Sequence, residues 1–314
     1  LQRALRAACA MHAGTAPTHA RYRGGEDWRH VDRNRRWSPA MHPDPDPVPP
    51  VPFVPLVPGV PVVALHSSGA GARQWAPWRP LWPAGTAVVM PDLIGYADAP
   101  GGAPPRAVTL DDEAQRIAGL VDARRGGVHI VGHSYGGAVA LRLALRWPDR
   151  VRSLWLYEPV LFALLRGGDE PAWHDIVSAG RAIGALARSG RLDDSGAMFV
   201  DYWSGRGAWA ALPAARRRAV AERMPKVVAE FDALFDDDVA PTAYRAVNAP
   251  VHLLAGTRSP RPARRVAQRL ATLLPSVRLQ ALHGLGHMGP LADPQRVAAA
   301  FGLAPVGAEA PALA

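Results

Sequence analysis

The sequence predicts an α/β protein: a mostly parallel sheet with helices packed on both faces. Two observations carry that expectation. From about residue 60 onward, short apolar runs alternate with amphipathic stretches of helical length. The runs are apolar throughout rather than on alternate positions, as strands covered on both faces are. One long interval, about 160–240, breaks the alternation with a helical pattern, which marks an insertion between two strands.

In chain order, Val60–Leu65 reads as the first buried strand and Arg73–Leu81 as a short helix weakened by Pro77 and Pro80. Ala87–Met90 is the second strand. Leu110–Val121 is helical, with Thr109 as its cap and Asp111, Asp112 and Glu113 favouring its positive amino end. Val128–Val131 is a strand, Ser134–Arg146 a helix and Val151–Tyr157 a strand. After the helical interval come strand Val251–Ala255, helix Pro262–Leu274, strand Val277–Leu282 and helix Pro294–Phe301. The insertion is placed to roof the carboxyl ends of the strands, where ligands bind in open α/β sheets.

Residues 1–59 differ from the rest. Proline recurs at nearly every second or third position from Pro43 to Pro61, behind an Arg-rich stretch without periodicity. Proline fixes φ and removes a donor, so the expectation is a disordered Arg/Pro-rich leader. The folded domain is expected over 60–304 and a flexible tail over 305–314.

Composition excludes several classes of protein. Lys+Arg 36 against Asp+Glu 27 gives a formal charge of +9, which raises the question of nucleic acid. The excess is dispersed arginine, however, and Lys226 is the only lysine, so no basic binding surface is expected. Cys9 is the only cysteine, which leaves no disulfide framework and no Cys-based zinc site. No uncharged apolar run reaches membrane-spanning length, and the segment after Arg3 and Arg6 is too short for a signal peptide. A cytoplasmic protein without metal or organic cofactor is expected.

Three segments carry chemistry. Gly132-His-Ser134-Tyr-Gly136-Gly137 lies between a strand and a helix. A serine there sits on a sharp turn that needs glycine neighbours and points its hydroxyl away from the sheet. His66-Ser67-Ser68-Gly69 follows the first strand. An oxyanion needs fixed N–H donors, and Tyr135 together with Ser68 or Ser67 can supply them, Ser68 being preferred. Gly286-His287-Met288 follows the last strand. An imidazole at that place can take the serine proton and return it to the leaving group. His283, at the strand end, ranks behind His287, while His66 and His133 are read as shaping the loops.

With Pro91-Asp-Leu-x-Gly95, these segments resemble the α/β-hydrolase superfamily over about Val60 to Phe301. The resemblance implies a serine hydrolase with a helical cap between the family's sixth and seventh strands. It also exposes two departures. The family's usual triad acid follows its seventh strand in a Gly-x-x-Asp pattern, but here Gly256-Thr-Arg-Ser259 leaves Ser259 at that place. Serine cannot balance an imidazolium. Glu158, after Leu154-Trp-Leu-Tyr157, is the preferred substitute, since some members of the superfamily carry the acid there. Asp237 and Asp238 are read as a solvated loop, and Asp92 as fixing its own turn. The second departure is that the strands usually preceding the oxyanion strand are hard to find.

The implied reaction is acyl transfer from a carboxylic ester or lactone: Ser134 attacks, His287 moves the proton and water cleaves the acyl-enzyme. A C–C bond hydrolase and a non-catalytic hydrolase-like binding protein are the alternatives. Trp75, Trp173, Trp203 and Trp209 are candidate substrate contacts for an apolar or aromatic acyl group. No nucleic-acid or membrane partner is expected.

Overall fold

The computed structural model describes residues 55–57, 59–96, 107–121, 126–167 and 170–303, all within the compact unit Pro49–Ala314. The tail expected over 305–314 and all but a few residues of the expected leader lie outside these residues. Six strands form one sheet: β1 (Val62–Leu65), β2 (Val88–Val89), β3 (Val128–His133), β4 (Val151–Tyr157), β5 (Val251–Gly256) and β6 (Val277–Leu282). Their spatial order is β2-β1-β3-β4-β5-β6 and every neighbouring pair is parallel. The chain steps outward from β1 to β2 and then returns to lay β3 on the other side of β1. The loops after β1 and β3 therefore face each other across a topological switch point, where open α/β sheets bind ligands.

Both faces of the sheet are covered, which explains the unbroken apolar runs. Val63, Leu65, Ile130, Leu154, Leu156 and Leu253 point into one core with helices α1 (Leu110–Ala118) and α2 (Tyr135–Arg146). Val62, Ala64, Val131, Trp155, Tyr157 and Leu254 point into the other, with Trp75, Trp78, Trp82 and Phe301. Alternate residues of one strand serve opposite cores because side chains on a strand alternate with a period of two. Each large side chain so buried contributes about 1.5–3 kcal/mol.

Several boundaries differ from the sequence expectation for local reasons. Ala72–Leu81 is a 3₁₀ helix, since Pro77 and Pro80 deny it α-helical hydrogen bonds. The second strand shortens to two residues. Helix α1 stops at Ala118 with Gly119 as its cap, and Thr109 starts it with a capping box: its hydroxyl accepts from Asp112 N–H at 3.2 Å. Asp237 is not solvated. Its side chain is 5% exposed and accepts from Arg142 Nη2 at 2.5 Å, answering a guanidinium that is only 2% exposed. Asp238 is exposed as expected.

Between β4 and β5 the chain forms α3 (Pro171–Arg188), α4 (Leu192–Ser204), α5 (Ala208–Ala211) and α6 (Ala214–Phe235). These helices pack over an aromatic cluster in which Phe162 stacks on Trp203 and Phe231, with ring centroids 6.3 and 6.5 Å apart. After β5 follow α7 (Arg261–Leu273), β6, the one-turn α8 (Gly289–Ala292) and α9 (Pro294–Ala300). Helix α8 was not expected; it closes the loop that carries His287.

Candidate active site

Ser134 stands between β3 and α2 with φ 55° and ψ −117°, a conformation that side chains rarely adopt. The glycines around it are there because nothing larger fits. A Cβ on Gly136 would lie 2.5 Å from the His66 carbonyl oxygen, and one on Gly132 would lie 2.8 Å from Gly137 Cα. The packing that requires glycine also holds the turn in its strained form. Ser134 N–H donates to Tyr157 O at 3.0 Å, which ties the turn to the end of β4.

Three side chains converge above this turn. His287 Nε2 lies 3.0 Å from Ser134 Oγ, and His287 Nδ1 lies 2.7 Å from Glu158 Oε2. The second carboxylate oxygen, Oε1, accepts from Gly256 N–H at 2.6 Å. All three are buried, Glu158 completely. The only orientation consistent with this chain has Nδ1–H donating to the carboxylate and Nε2 facing the serine hydroxyl as acceptor. Glu158, like Ser134, has a positive φ, 46°. Ser259, where the acid usually stands, is buried with its hydroxyl unpartnered. The end of β5 therefore contributes to the site through Gly256 N–H instead of through a carboxylate.

The neighbouring histidines hold loops. His133 Nε2–H donates to the His287 carbonyl at 2.9 Å, and burial keeps its ring neutral by pushing its pKa well below the usual value. His66 donates from Nδ1 to Ser67 O at 2.9 Å and accepts Leu93 N–H on Nε2 at 3.0 Å. Burial lowers its pKa to about 4, against the opposing bond to Ser67 O. Asp92 accepts from Ala72 N–H at 2.7 Å. His283 is exposed at the far side of its loop.

The two candidate oxyanion serines separate in the structure. Ser67 N–H donates to Gln74 Oε1 at 2.9 Å and its hydroxyl to the same oxygen at 2.7 Å, so that peptide is committed. No group among the described residues accepts from Ser68 N–H. Tyr135 N–H opens α2 and, like every first-turn amide, has no partner within its helix.

Over the serine lies a cavity of about 30 Å³ lined by Ser67, Ser68, Ser134, His287 and Met288 and, from the segment between β4 and β5, by Val160, Phe162, Phe199, Trp203, Val227, Phe231 and Leu234. Trp203 is the one predicted tryptophan found here, its ring centroid 4.2 Å from that of His287. The other three are not in the lining. Trp75 packs edge-on against Trp78 in the core on the opposite face of the sheet. Trp173 lies against Phe235 and under Arg166. Trp209 covers Gly196, where a Cβ would meet its ring at 2.9 Å. The spacing of Trp173 and Trp209 along the sequence could not show which helix face each would occupy.

Sequence reasoning missed the polar cluster beside the site. Lys226 is 3% exposed, with Nζ 3.0 Å from Glu113 Oε1 and 3.5 Å from Glu230 Oε1. Burial pushes both carboxyls up, and the ammonium opposes it. The available signal was slight: a lone lysine followed four residues later by a glutamate on a helix. Nor did the sequence mark Gln74 as the anchor of Ser67. Among the described residues no group of three or more His, Cys, Asp or Glu side chains is placed to hold a metal ion, and no helix is long and apolar enough to cross a membrane.

A six-stranded parallel sheet, a strained serine between strand and helix, and a late histidine are the features of the α/β-hydrolase fold. A family model described as "Alpha/beta hydrolase family" matches residues 62–300, and the chain belongs to that family. It is 31% identical over 243 residues to a pimeloyl-[acyl-carrier protein] methyl ester esterase of Aromatoleum aromaticum, covering 74% of this chain and 92% of that protein. It is 35% identical over 97 residues to a 2-hydroxymuconate semialdehyde hydrolase of a Pseudomonas species; that match covers 29% of this chain and spans about a third of the relative, 34%. The crystal structure of a hydrolase from Pseudomonas aeruginosa PA01 superposes with a TM-score of 0.63 at 22% identity, covering 81% of this chain and 92% of that one.

Proposed function

We propose that the protein is a serine hydrolase that cleaves a carboxylic ester or lactone with an apolar acyl group, through an acyl-enzyme. The observation that carries this reading is the unbroken chain Ser134 Oγ–His287–Glu158 under an apolar roof. Ser134 attacks the carbonyl carbon as its proton passes to His287 Nε2, and Glu158 stabilises the resulting imidazolium. Tyr135 and Ser68 N–H hold the oxyanion. The imidazolium returns its proton to the leaving alcohol, and water activated by His287 then releases the acid. Trp203, Phe162 and Phe231 shape the acyl pocket.

The runner-up, C–C bond hydrolysis, has support from the partial match to the semialdehyde hydrolase. That relative's named substrate is a carboxylic acid derivative. Among the described residues, the cavity lining here contains no arginine or lysine to receive a carboxylate, which favours a neutral ester. A non-catalytic protein was motivated by the missing acid after β5, and Glu158 removes that motive.

The test is turnover of p-nitrophenyl esters of increasing acyl length beside a dienoate substrate, with Ser134→Ala as control. Ester cleavage that the substitution abolishes is expected. Turnover of the dienoate alone would favour the runner-up, and no labelling of Ser134 by a fluorophosphonate would refute serine catalysis.

A further inference from the structure

The loop assigned to the oxyanion hole is not held by the sheet alone. Ser67 is fixed through Gln74, but the peptide on the other side of Ser68 is fixed by the cap. Gly69 N–H donates to Tyr96 OH at 2.7 Å, and Tyr96 OH in turn donates to Glu230 Oε1 at 2.9 Å. Arg223 Nη1 donates to the carbonyls of Gly69 and Ala70, at 2.8 and 3.1 Å.

Arg223, Lys226 and Glu230 follow one another along a single face of α6, at the three- and four-residue spacing that aligns side chains on a helix. The next face of the same helix presents Val227, Phe231 and Leu234 to the acyl cavity. Lys226 completes the junction from beneath. Its Nζ lies 5.5 Å from the centroid of Tyr135, the residue assigned the other oxyanion N–H, and it balances Glu230 against Glu113, which itself accepts from Ile94 N–H at 2.9 Å. Even the glycine of Pro91-Asp-Leu-x-Gly95 belongs here. Gly95 has φ 82°, and a Cβ on it would stand 3.3 Å from the Lys226 stem.

We propose that Glu230, acting with Tyr96 and Arg223, is a positioning residue for the oxyanion hole: helix α6 sets the direction of Ser68 N–H through the hydrogen bonds that hold Gly69 and Ala70 on one side of it, as Gln74 holds Ser67 on the other. The site is then complete only when α6 is seated on the loop, and the cap contributes to the chemical step as well as to binding. This inference rests on the acyl-transfer reading of Ser134.

The test is kinetic. Glu230→Ala and Tyr96→Phe are compared with wild type on p-nitrophenyl butyrate, with fold checked by circular dichroism and Tm. An oxyanion donor contributes to the transition state more than to the ground state, so its loss appears in kcat. Glu230→Ala is expected to lower kcat by about 10- to 100-fold, approaching the effect of removing a donor, with KM little changed. Tyr96→Phe keeps the ring and all charges and is expected to fall in the same direction, by about tenfold. Glu230→Gln, which still accepts from Tyr96, is expected to recover most of kcat. Folded variants with wild-type kcat, or with the loss confined to KM, would overturn the proposal. If Glu230→Ala does not fold, Tyr96→Phe decides it alone. Wild-type labelling of Ser134 by a fluorophosphonate keeps the two claims apart: labelled wild type with unimpaired variants refutes the positioning, whereas unlabelled wild type refutes the acyl-transfer reading beneath it.

Discussion

Replacing Glu158 by Gln exchanges one oxygen for an NH₂ group at little change in volume, and no arrangement of that amide leaves His287 able to act as base. The carboxylate accepts two hydrogen bonds, from His287 Nδ1–H at 2.7 Å and from Gly256 N–H at 2.6 Å, and both partners are donors. An amide has only one oxygen. If that oxygen keeps Gly256, the NH₂ faces Nδ1 and forces the proton onto Nε2, so that His287 points an N–H at Ser134 and cannot act as base. If the oxygen keeps His287, the NH₂ meets Gly256 N–H in a site that is fully buried, a mismatch costing about 1–3 kcal/mol. The first arrangement keeps both hydrogen bonds and is the one expected. Neither arrangement stabilises an imidazolium. The comparable change in another serine hydrolase lowers kcat about 10⁴-fold, or about 5.5 kcal/mol in the barrier. The expected result is therefore a drop in kcat on p-nitrophenyl butyrate of about three to four orders of magnitude, with KM within a small factor and Tm nearly unchanged. A Glu158→Gln enzyme that turns over within tenfold of wild type would refute the assignment and leave His287 without an acid.

Two further outcomes follow from other parts of the site. Gly136→Ala sets a Cβ 2.5 Å from the His66 carbonyl, a backbone atom that cannot rotate away. It is expected to destabilise the fold by at least about 1–3 kcal/mol and to lower Tm by about 2–4 °C for each of them; a variant with wild-type Tm and kcat would show that the elbow relaxes freely. His66 has a folded pKa of about 4 against 6.5 for the free side chain, because burial opposes its charge. The unfolded chain then binds the extra proton, so the stability this ring contributes is intact above pH 6.5 and is lost as pH falls toward 4, about 3 kcal/mol at most. Urea unfolding across that range is expected to show a shallower pH slope for His66→Gln than for wild type, and equal slopes would sink the reasoning.

The sheet was legible because burial on both faces writes each strand as a continuous apolar run, and all six strands were read within two residues at either end. The elbow and the late histidine were legible for a different reason. Close backbone approach at Gly132 and Gly136 leaves a signature that composition alone does not imitate. What could not be read was direction within helices. The cap tryptophans are spaced so that any of them might have faced inward, and only Trp203 does. Contacts between distant segments were equally hidden. Asp237 and Arg142 are 95 residues apart, and Lys226 and Glu113 are 113 apart; nothing local marks either pair. Gln74 anchors Ser67 from only seven residues away, yet it does so from a 3₁₀ turn whose geometry prolines dictate.

The position of the acid has a structural logic of its own. Strands β3 and β4 are neighbours, paired so that His133 lies beside Tyr157. The next residues, Ser134 and Glu158, therefore leave adjacent strands at the same height. They also leave in the same way, at φ 55° and 46°, each with its N–H bonded to the following strand's carbonyl, Tyr157 O or Leu254 O. Left-handed backbone costs a residue with a side chain about 1–2 kcal/mol, and two such residues side by side persist only because the sheet over-determines both. An acid on β5 would leave the sheet one strand further from Ser134. From β4 the longer side chain of glutamate reaches the ring at 2.7 Å while its second oxygen takes the Gly256 N–H at the end of β5. The carboxylate is thus oriented by the strand whose own acid position holds Ser259. Ser259 stands against Gly256, whose N–H holds Glu158, and a second carboxylate brought close to the first would force one of the two to take a proton. Under the proposed triad, serine at 259 leaves Glu158 as the carboxylate that faces His287.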